Sequence, residues 1–240
     1  MAKEKITTRA TAYHFSDLPM ATFVYVIETA RRVWVIDTFC GSLSMEPVLQ
    51  DMPEGREVMV VNTHFHWDHV WGNCAFTGEV VSHRRCRELL AARWEQELAR
   101  YGNYRRGRVE RRLPTITFEQ RLFFPEDGIE LFYSPGHTAD SISLFDHEDR
   151  LLYVGDNLER PLVYVEDPEL DAYLRTLEEY KKYRPQQLMA GHAKNLTLEE
   201  VEGTIDYLRH LKAGTEVVFV TEEERLIHAA NQKVLKGECG

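Results

Sequence analysis

Short apolar runs separated by turn residues occupy the first third of the chain. The segments TFVYVIE (22–28), RVWVIDT (32–38) and EVMVVNT (57–63) are rich in β-branched and aromatic residues, which favours strands. A tight charged turn at residues 29–31 separates the first two segments, so we expect them to form a hairpin. The shorter run EVVSH (79–83) predicts a further strand.

A helical pattern follows these strands. Leu90 and Trp94 belong to a set of apolar residues spaced about four apart in residues 84–102, and Gly102 provides a stop signal. The pattern predicts a helix that forms the main part of a helical insertion around residues 84–112.

Strands and helices alternate in the second half of the chain. The pattern predicts strands at 121–125, 129–135, 141–147, 150–156 and 187–192, and helices at 167–185, 197–214 and 222–236. Asp167 is the expected N-cap of the first of these helices, with Pro168 in its first turn, and Thr197 is the expected cap of the second. Such mixing predicts an α+β fold in which helices cover sheets.

Composition narrows the class of protein. A chain of 240 residues with 43% hydrophobic and 28% charged residues is typical of a soluble globular protein, and we expect one domain over 1–240. The formal net charge of −10 makes nucleic-acid binding unlikely and disfavours an anionic membrane surface. No apolar run reaches the roughly 20 residues of a membrane span. The charged N-terminus lacks the apolar core of a secretion signal, so a cytoplasmic location is expected.

The cysteines support the same location. They are scattered without a CxxC pair, at Cys40, Cys74, Cys86 and Cys239, which favours reduced thiols over disulfides. Cys40 stands in IDTFCGS, where we expect a small packing residue rather than a reactive thiol.

The segment VVNTHFHWDHVWGN (60–73) contains the densest chemistry in the chain. Its candidate metal ligands continue downstream in YSPGHTADS, LLYVGDNL and LMAGHAKN, and the full set is His64, His66, Asp68, His69, His137, Asp156 and His192. The three downstream residues each follow a predicted strand in a turn that contains glycine, so a rigid strand presents each ligand.

Five histidines and two aspartates exceed the three protein ligands of a single catalytic zinc. They suit two metals about 3.5–4 Å apart that share a bridging carboxylate. Imidazole and carboxylate without cysteine favour two zinc ions, with iron or manganese as alternatives. The remaining histidines are expected to be structural: His14, His83, His147, His210 and His228.

This order of motifs resembles the metallo-β-lactamase superfamily. The matching elements are Asp37 at a strand end, HFHWDH, PGHT, VGDN and AGHA, over roughly residues 20–195. The resemblance implies a four-layer αββα sandwich with the metal site at the sheet edge. It also implies that Asp37 orients ligand loops rather than binding metal.

The resemblance implies a role for each ligand. His64, His66 and His137 would surround one metal, Asp68, His69 and His192 the second, and Asp156 would bridge both. The implied activity is that of a dinuclear hydrolase, in which a metal-bridging hydroxide attacks an electrophilic centre. Asp68 and Asp156 are then the expected catalytic residues, with Asp68 orienting the attacking water or accepting its proton.

Departures within the family narrow the expected substrate. True β-lactamases of this superfamily generally lack the bridging aspartate, so Asp156 disfavours antibiotic hydrolysis. Glyoxalase II shares all seven ligands, but its usual Gly-rich segment after the aspartate is missing here. Lactonases tend to place a tyrosine shortly after the aspartate, where this chain has Glu159 and then Tyr164. We expect hydrolysis of a small ester, thioester or lactone.

Two alternatives remain open. One is a phosphodiesterase or nuclease of the superfamily, supported by eleven arginines against five glutamates between residues 83 and 121. The other is a mononuclear-iron oxidoreductase that resembles persulfide dioxygenases. The arginines, densest at 100–114, either hold an anionic small-molecule substrate or form a solvated structural surface. The sequence is also compatible with a homodimer.

Overall fold

The computed structural model describes residues 1–238, so Cys239 lies outside the described residues. The strands are β1 (Ala2–Lys5), β2 (Ala10–Phe15), β3 (Thr22–Glu28), β4 (Arg32–Ile36), β5 (Glu57–Val61), β6 (Glu79–His83), β7 (Ile116–Phe118), β8 (Arg121–Phe124), β9 (Ile129–Tyr133), β10 (Ile142–Asp146), β11 (Leu151–Gly155) and β12 (Gln187–Ala190). The helices are α1 (Ser42–Asp51), α2 (Trp67–Val70), α3 (Arg84–Tyr101), α4 (Leu170–Tyr183), α5 (Leu198–Ala213) and α6 (Glu222–Leu235).

The strands form two sheets. Seven strands pair in the order β1-β2-β3-β4-β5-β6-β7, and five pair in the order β12-β11-β10-β9-β8. The expected hairpin is confirmed, because β3 and β4 are antiparallel partners. From β4 to β7 the pairing is parallel, so these strands end at the same edge of the sheet.

Alternation along the strands builds the layers. In β3, Phe23 and Tyr25 pack between the two sheets, whereas Val24 and Val26 pack against α1 and α3 on the outer face. Helices α4 and α5 cover the outer face of the five-stranded sheet. The predicted four-layer αββα sandwich is therefore confirmed.

The predicted helix over residues 84–102, with Gly102 as its stop signal, is confirmed by α3 (Arg84–Tyr101). Helix α3 ends at Tyr101, a 3-10 turn covers 102–104, and residues 105–115 contain neither helix nor strand. Trp67 stacks on the rings of Tyr101 and Tyr104, with centroid distances of 4.9 and 5.1 Å. The insertion thus packs on the first residue of the short helix α2.

The start of α4 differs from the prediction. The helix begins at Leu170 with Glu169 at the N-cap position, so Asp167 is not the cap and Pro168 precedes the first turn. Instead, Asp167 Oδ1 accepts a hydrogen bond of 3.1 Å from the backbone N–H of Glu169, which forms a local turn before the helix.

Two further expectations have outcomes in the fold. Cys40 and Cys86 are buried and Cys74 is partly buried, each as a free thiol, and burial raises the pKa of the Cys40 thiol, as expected of a packing residue. Among residues 1–238, no helix combines the length and apolar character needed to cross a membrane.

Candidate metal centre

The predicted ligands converge because they follow strands that end at the same region. His64 lies just beyond β5, and the short helix α2 carries Asp68 and His69. Asp156 follows β11 and His192 follows β12, which are parallel partners in the other sheet. The two sheets therefore supply ligands from adjacent strand ends, and all seven predicted residues fall in two groups whose ligand atoms lie within 4.8 Å of one another.

The first group contains three histidines and Asp156. His66 Nδ1 lies 2.9 Å from His64 Nε2 and 3.2 Å from His137 Nε2. Three nitrogens that converge on one point can serve as three ligands of a tetrahedral metal, with the carboxylate as a fourth.

The second group contains Asp68, His69 and His192. Asp68 Oδ2 lies 3.5 Å from His192 Nε2 and 3.6 Å from His69 Nε2. This mixture of imidazole and carboxylate suits a borderline divalent ion such as zinc, iron or manganese.

Asp156 faces both groups through a single oxygen. Its Oδ2 lies 3.6 Å from His64 Nε2 and 3.9 Å from His137 Nε2, on the side of the first group. The same oxygen lies 3.3 Å from His69 Nε2 and 3.2 Å from His192 Nε2, on the side of the second. The side chain is only 4% exposed, so this carboxylate is shared between the two groups and shielded from solvent.

Each histidine is held through the ring nitrogen that points away from the site. The contacts are His64 Nδ1 with Thr63 Oγ1 at 3.0 Å, His66 Nε2 with Glu166 Oε2 at 3.0 Å, His69 Nδ1 with Asp37 Oδ2 at 2.8 Å, His137 Nδ1 with the Tyr164 carbonyl at 2.8 Å, and His192 Nδ1 with the Ala21 carbonyl at 2.7 Å. Such partners fix the ring orientation and tautomer of metal-binding histidines. Asp37 also accepts hydrogen bonds from the backbone and hydroxyl of Thr63, and so has the orienting contacts that the resemblance implied.

Two glycines allow the ligand loops to approach one another. A Cβ at Gly191 would collide with Asp156 Oδ1 and lie 2.6 Å from His69 Cε1. Gly155 has φ of +54°, and a Cβ there would lie 2.9 Å from the side chain of Thr63. A larger residue at Gly191 would displace two candidate ligands, and one at Gly155 would displace Thr63, which contacts His64.

Burial and mutual charge set the protonation states of the ligands. Burial alone would lower the pKa values of His69 and His192, but the carboxylates of Asp156 and Asp68 raise that of His69 well above its ordinary value and that of His192 to about 10. Burial, together with neighbouring His69, lowers the pKa of His64 well below its ordinary value. Burial alone would raise the pKa of Asp156, yet the charges of His192 and His69 hold it well below its usual range. A neutral imidazole and an ionised carboxylate are the forms that coordinate metal, so His64 and Asp156 are in the binding form. His69 and His192 would release a proton when a metal binds.

The unpaired atoms of the site fit a divalent ion. Within residues 1–238, His69 Nε2 and Asp156 Oδ1 are buried with no hydrogen-bond partner in the protein. Buried polar atoms normally have a partner. His69 Nε2 lies 3.3 Å from the shared Asp156 Oδ2, so a cation bound beside that oxygen would satisfy the nitrogen. The donor set and its orphaned atoms therefore fit two metal ions.

Two acidic residues close to the ligand groups were not predicted to belong to the site. Glu166 contacts His66 although the two are 100 residues apart, and it belongs to no motif. Glu159 lies close enough to Asp156 for its charge to matter: burial and that charge raise the pKa of Glu159 to about 8. The sequence feature that could have indicated them is their place in the chain, because both residues lie after Asp156 in the irregular segment between β11 and α4.

Other residues near the site have structural roles. Trp67 and Trp71, 7% and 1% exposed, pack beneath the ligand loop rather than lining a pocket mouth. Neither ligand group within residues 1–238 includes His14, His83, His147, His210 or His228. His83, for example, caps α3 by accepting a hydrogen bond from the backbone of Arg85.

Comparison with known proteins agrees with this site. A family model described as the metallo-beta-lactamase superfamily matches residues 18–192, which include every residue of both ligand groups. The chain belongs to the metallo-beta-lactamase superfamily. It is thus a member of a superfamily of metal-dependent hydrolases.

Relatives within the superfamily are distant. The chain is 25% identical over 223 residues to "Beta-lactamase-like protein 2 homolog" of Caenorhabditis elegans, an alignment that covers 86% of this chain and 67% of that protein. It is 29% identical over 116 residues to "Hydroxyacylglutathione hydrolase" of Thermosynechococcus vestitus, covering 47% of this chain and 40% of that protein. The chain therefore spans about two thirds or less of the length of these relatives.

Solved structures support the fold alone. The crystal structure of the DIM-1 metallo-beta-lactamase exposed to ceftazidime superposes with a TM-score of 0.69 at 17% identity. The match covers 87% of this chain and 96% of that one, so the two proteins share the fold over most of their length.

Proposed function

We propose that this superfamily member is a dinuclear metal-dependent hydrolase that acts on a small ester, thioester or lactone. The observation that carries the proposal is the position of Asp156 Oδ2, within 3.9 Å of ring nitrogens from both ligand groups. A carboxylate oxygen so placed is suited to bridge two cations. In this proposal, His64, His66 and His137 hold one metal, and Asp68, His69 and His192 hold the other.

Two bound divalent ions would supply Lewis acidity and a hydroxide nucleophile near neutral pH. The protein residues then have simpler tasks. Asp68, whose side chain is 6% exposed, presents a carboxylate beside His192 and can accept a proton from the attacking water. Asp37, Thr63 and Glu166 keep the imidazole rings in their binding orientation.

The substrate class follows from two lines of support. Asp156 is present where β-lactamases of the superfamily generally have cysteine or serine, which disfavours β-lactam hydrolysis despite the names of the similar structures. The relatives named hydroxyacylglutathione hydrolase act, by that name, on a thioester, and they match 47% and 57% of the chain. A carbonyl centre is therefore favoured over a phosphoryl centre.

The arginine-rich segment lends little support to phosphodiesterase activity. Several of its guanidinium groups donate to backbone carbonyls, namely Arg87 to Pro114, Arg106 to Tyr104, Arg108 to Cys74 and Arg112 to Gly78. These contacts brace the loop after α3 and favour the structural alternative for those arginines. Contact between the segment and an anionic substrate stays a prediction.

A substrate panel tests the proposal. Enzyme of known metal content is assayed against thioesters, lactones, simple esters and bis-phosphodiesters. We expect turnover of at least one carbonyl substrate and none of the phosphodiesters. Turnover of phosphodiesters alone would replace the proposal with the nuclease alternative, and oxygen uptake with one bound iron would replace it with the dioxygenase alternative.

A further inference from the structure

Residues 163–166 form a segment without helix or strand that contacts two ligands of the first group; we call it the strap. The Tyr164 carbonyl accepts a hydrogen bond of 2.8 Å from His137 Nδ1, and the backbone N–H of Glu166 donates one of 2.9 Å to the His137 carbonyl. The Glu166 carboxylate lies 3.0 Å from His66 Nε2. The strap therefore sets the ring orientation of His66 and both ends of His137.

The strap contacts only one of the two ligand groups through these bonds. His69 is oriented by Asp37, and His192 by the carbonyl of Ala21, both from the seven-stranded half of the molecule. Displacement of the strap would therefore disturb the first metal group and leave the second in place.

Regular structure does not fix the position of the strap, so other contacts must. Val163 and Val165 are buried in the apolar cluster that α4 and α5 cover, and Asn231, on α6 and 1% exposed, supplies hydrogen bonds to their backbone. Its Oδ1 accepts a hydrogen bond of 2.9 Å from the backbone N–H of Val165, and its Nδ2 donates one of 2.8 Å to the Val163 carbonyl. The amide thus pairs with the strap as a neighbouring strand would, and a further bond of 2.9 Å from Nδ2 to the Tyr207 hydroxyl anchors it to α5.

Asn231 is one of two buried residues of α6. Ile227 and Asn231 are the buried residues of the helix, and the second is a polar side chain whose three hydrogen bonds all go to the strap or to α5. Helix α6 lies beyond residues 18–192, the part of the chain that matches the superfamily model. A purely structural helix could use a second apolar residue at this position and avoid the cost of burying an amide.

We propose that Asn231 and Glu166 are positioning residues of the metal centre, and that α6 holds the first metal group in its binding geometry through the strap. The proposal rests on the proposed two-metal function and adds that the two metal groups depend on different parts of the chain. Loss of either residue weakens the metal held by His64, His66 and His137 and spares the other.

The experiment isolates each metal group in a separate background. His192→Ala impairs the second group and leaves the first, and His64→Ala does the reverse. Zinc affinity of each metal-free background is measured by competition with a chelator, and cobalt substitution reports the coordination of the first group by its visible spectrum. Neither readout requires turnover.

Asn231→Leu and Glu166→Ala are introduced into both backgrounds. We expect a loss of zinc affinity of about 10–100-fold in the His192→Ala background, the range usual for residues that orient metal ligands, and no change in the His64→Ala background. Glu166→Gln, which keeps a hydrogen-bond acceptor for His66 Nε2, restores much of the affinity. Ile227→Val is the matched control, because it trims the other buried side chain of α6 and removes none of the hydrogen bonds to the strap.

Three results would overturn the proposal. They are an unchanged affinity of the first group, an equal loss in both backgrounds, and a loss in Ile227→Val as large as that in Asn231→Leu. Glu166 is half exposed, so its variants should fold even if Asn231→Leu does not, and they decide the role of Glu166. In that case Asn231→Asp, which keeps the acceptor for the Val165 N–H but loses the donor to the Val163 carbonyl, decides the role of Asn231 by the same comparison of the two backgrounds. If the affinities separate as expected but no substrate of the panel is hydrolysed, the proposed function fails while the positioning role stands.

Discussion

At the scale of single residues, the proposed two-metal site depends most on Asp156. One of its oxygens faces four histidine nitrogens, and its other oxygen is buried with no protein partner. Asp156→Ala should abolish turnover and weaken metal binding by more than the roughly 100-fold seen for residues that only orient ligands. Asp156→Asn, with the same shape and one weaker donor oxygen, should retain part of the binding. Fully active Asp156→Ala enzyme would refute the bridging role.

Gly191 should tolerate no side chain. Its added Cβ would collide with Asp156 Oδ1 and approach His69 Cε1, so Gly191→Ala should lower both metal content and turnover. Gly203 is the control: it lies inside α5 with nothing within 4 Å of an added Cβ, and Gly203→Ala should raise the free energy of unfolding by about 1 kcal/mol. Metal analysis and denaturant unfolding of both variants measure the contrast. Normal metal content in Gly191→Ala would show that the loops have more room than this packing allows.

The grouping of the candidate ligands could be predicted from the sequence, but the residues that contact them could not. His64, His66 and His69 lie within eight residues after the end of β5, so their proximity is a local property of the chain. Glu166 and Asn231 act across long separations, and nothing in their neighbouring residues marks them. Their contacts exist only because the irregular strap passes between α6 and the first ligand group.

At the scale of elements, the start of α5 offers a test of a predicted cap. Thr197 and Glu200 form a reciprocal capping box, in which the Glu200 carboxylate accepts a hydrogen bond of 2.8 Å from the Thr197 backbone. Burial alone would raise the pKa of Glu200, but the bonds from Arg160 and Thr197 lower it to about 2.

Because the folded pKa of Glu200 is lowered, its contribution to stability is full above the ordinary value near 4.5 and is lost as the pH falls towards 2. Glu200→Ala should reduce the free energy of unfolding by about 1 kcal/mol at pH 7, and the difference from wild type should shrink below pH 4.5. Glu199→Ala removes the same charge from the first turn without a cap and is the control. A difference that grew on acidification would contradict this account.

Strands and helices with regular hydrophobic periodicity were predicted from the sequence, and those with irregular periodicity were missed. Strands β3, β4 and β5 combine β-branched residues with clear turns, and each was placed within about two residues. Helix α1 has Pro47 in its interior and Leu43 at 56% exposure, so its apolar residues do not trace one buried face. Strand β2 contains alanine and histidine and is stabilised by pairing with β3. Local strand propensity does not reflect such pairing, so the strand was not predicted.

At the scale of the whole molecule, a buried ion pair joins the two sheets. Arg9, next to β2, donates to both oxygens of Asp146 at the end of β10, at 3.1 and 2.6 Å. Asp146 is fully buried, so removal of its partner leaves an uncompensated charge. Arg9→Met should lower the free energy of unfolding by about 3–5 kcal/mol.

Two further variants test that cause. Arg9→Met combined with Asp146→Asn should recover part of the lost stability, because the neutral amide no longer carries a buried charge. Arg209→Met breaks exposed ion pairs of 3.4 and 3.5 Å and should cost less than about 1 kcal/mol. If Arg9→Met and Arg209→Met lowered the free energy of unfolding equally, the buried pair between the sheets would contribute no more to stability than exposed ion pairs.

The stacking of the two sheets also explains why the site exists where it does. Ligands after β5 belong to one sheet and ligands after β9, β11 and β12 to the other, so the metal centre forms only when both sheets are in register. The sequence predicted this convergence through the order of its motifs. The sequence alone did not indicate that α6 contacts the strap, because that contact depends on how the helix packs against an irregular segment.

The most direct test of the central claim is the metal stoichiometry of the chain. Protein stripped of metal is titrated with zinc while hydrolysis of a carbonyl substrate and bound metal are followed together. The account predicts saturation at two ions per chain, with hydrolysis appearing as the pair of sites fills and Asp156→Ala losing both. Saturation at one ion, or activity that requires a single iron and consumes oxygen, would contradict it.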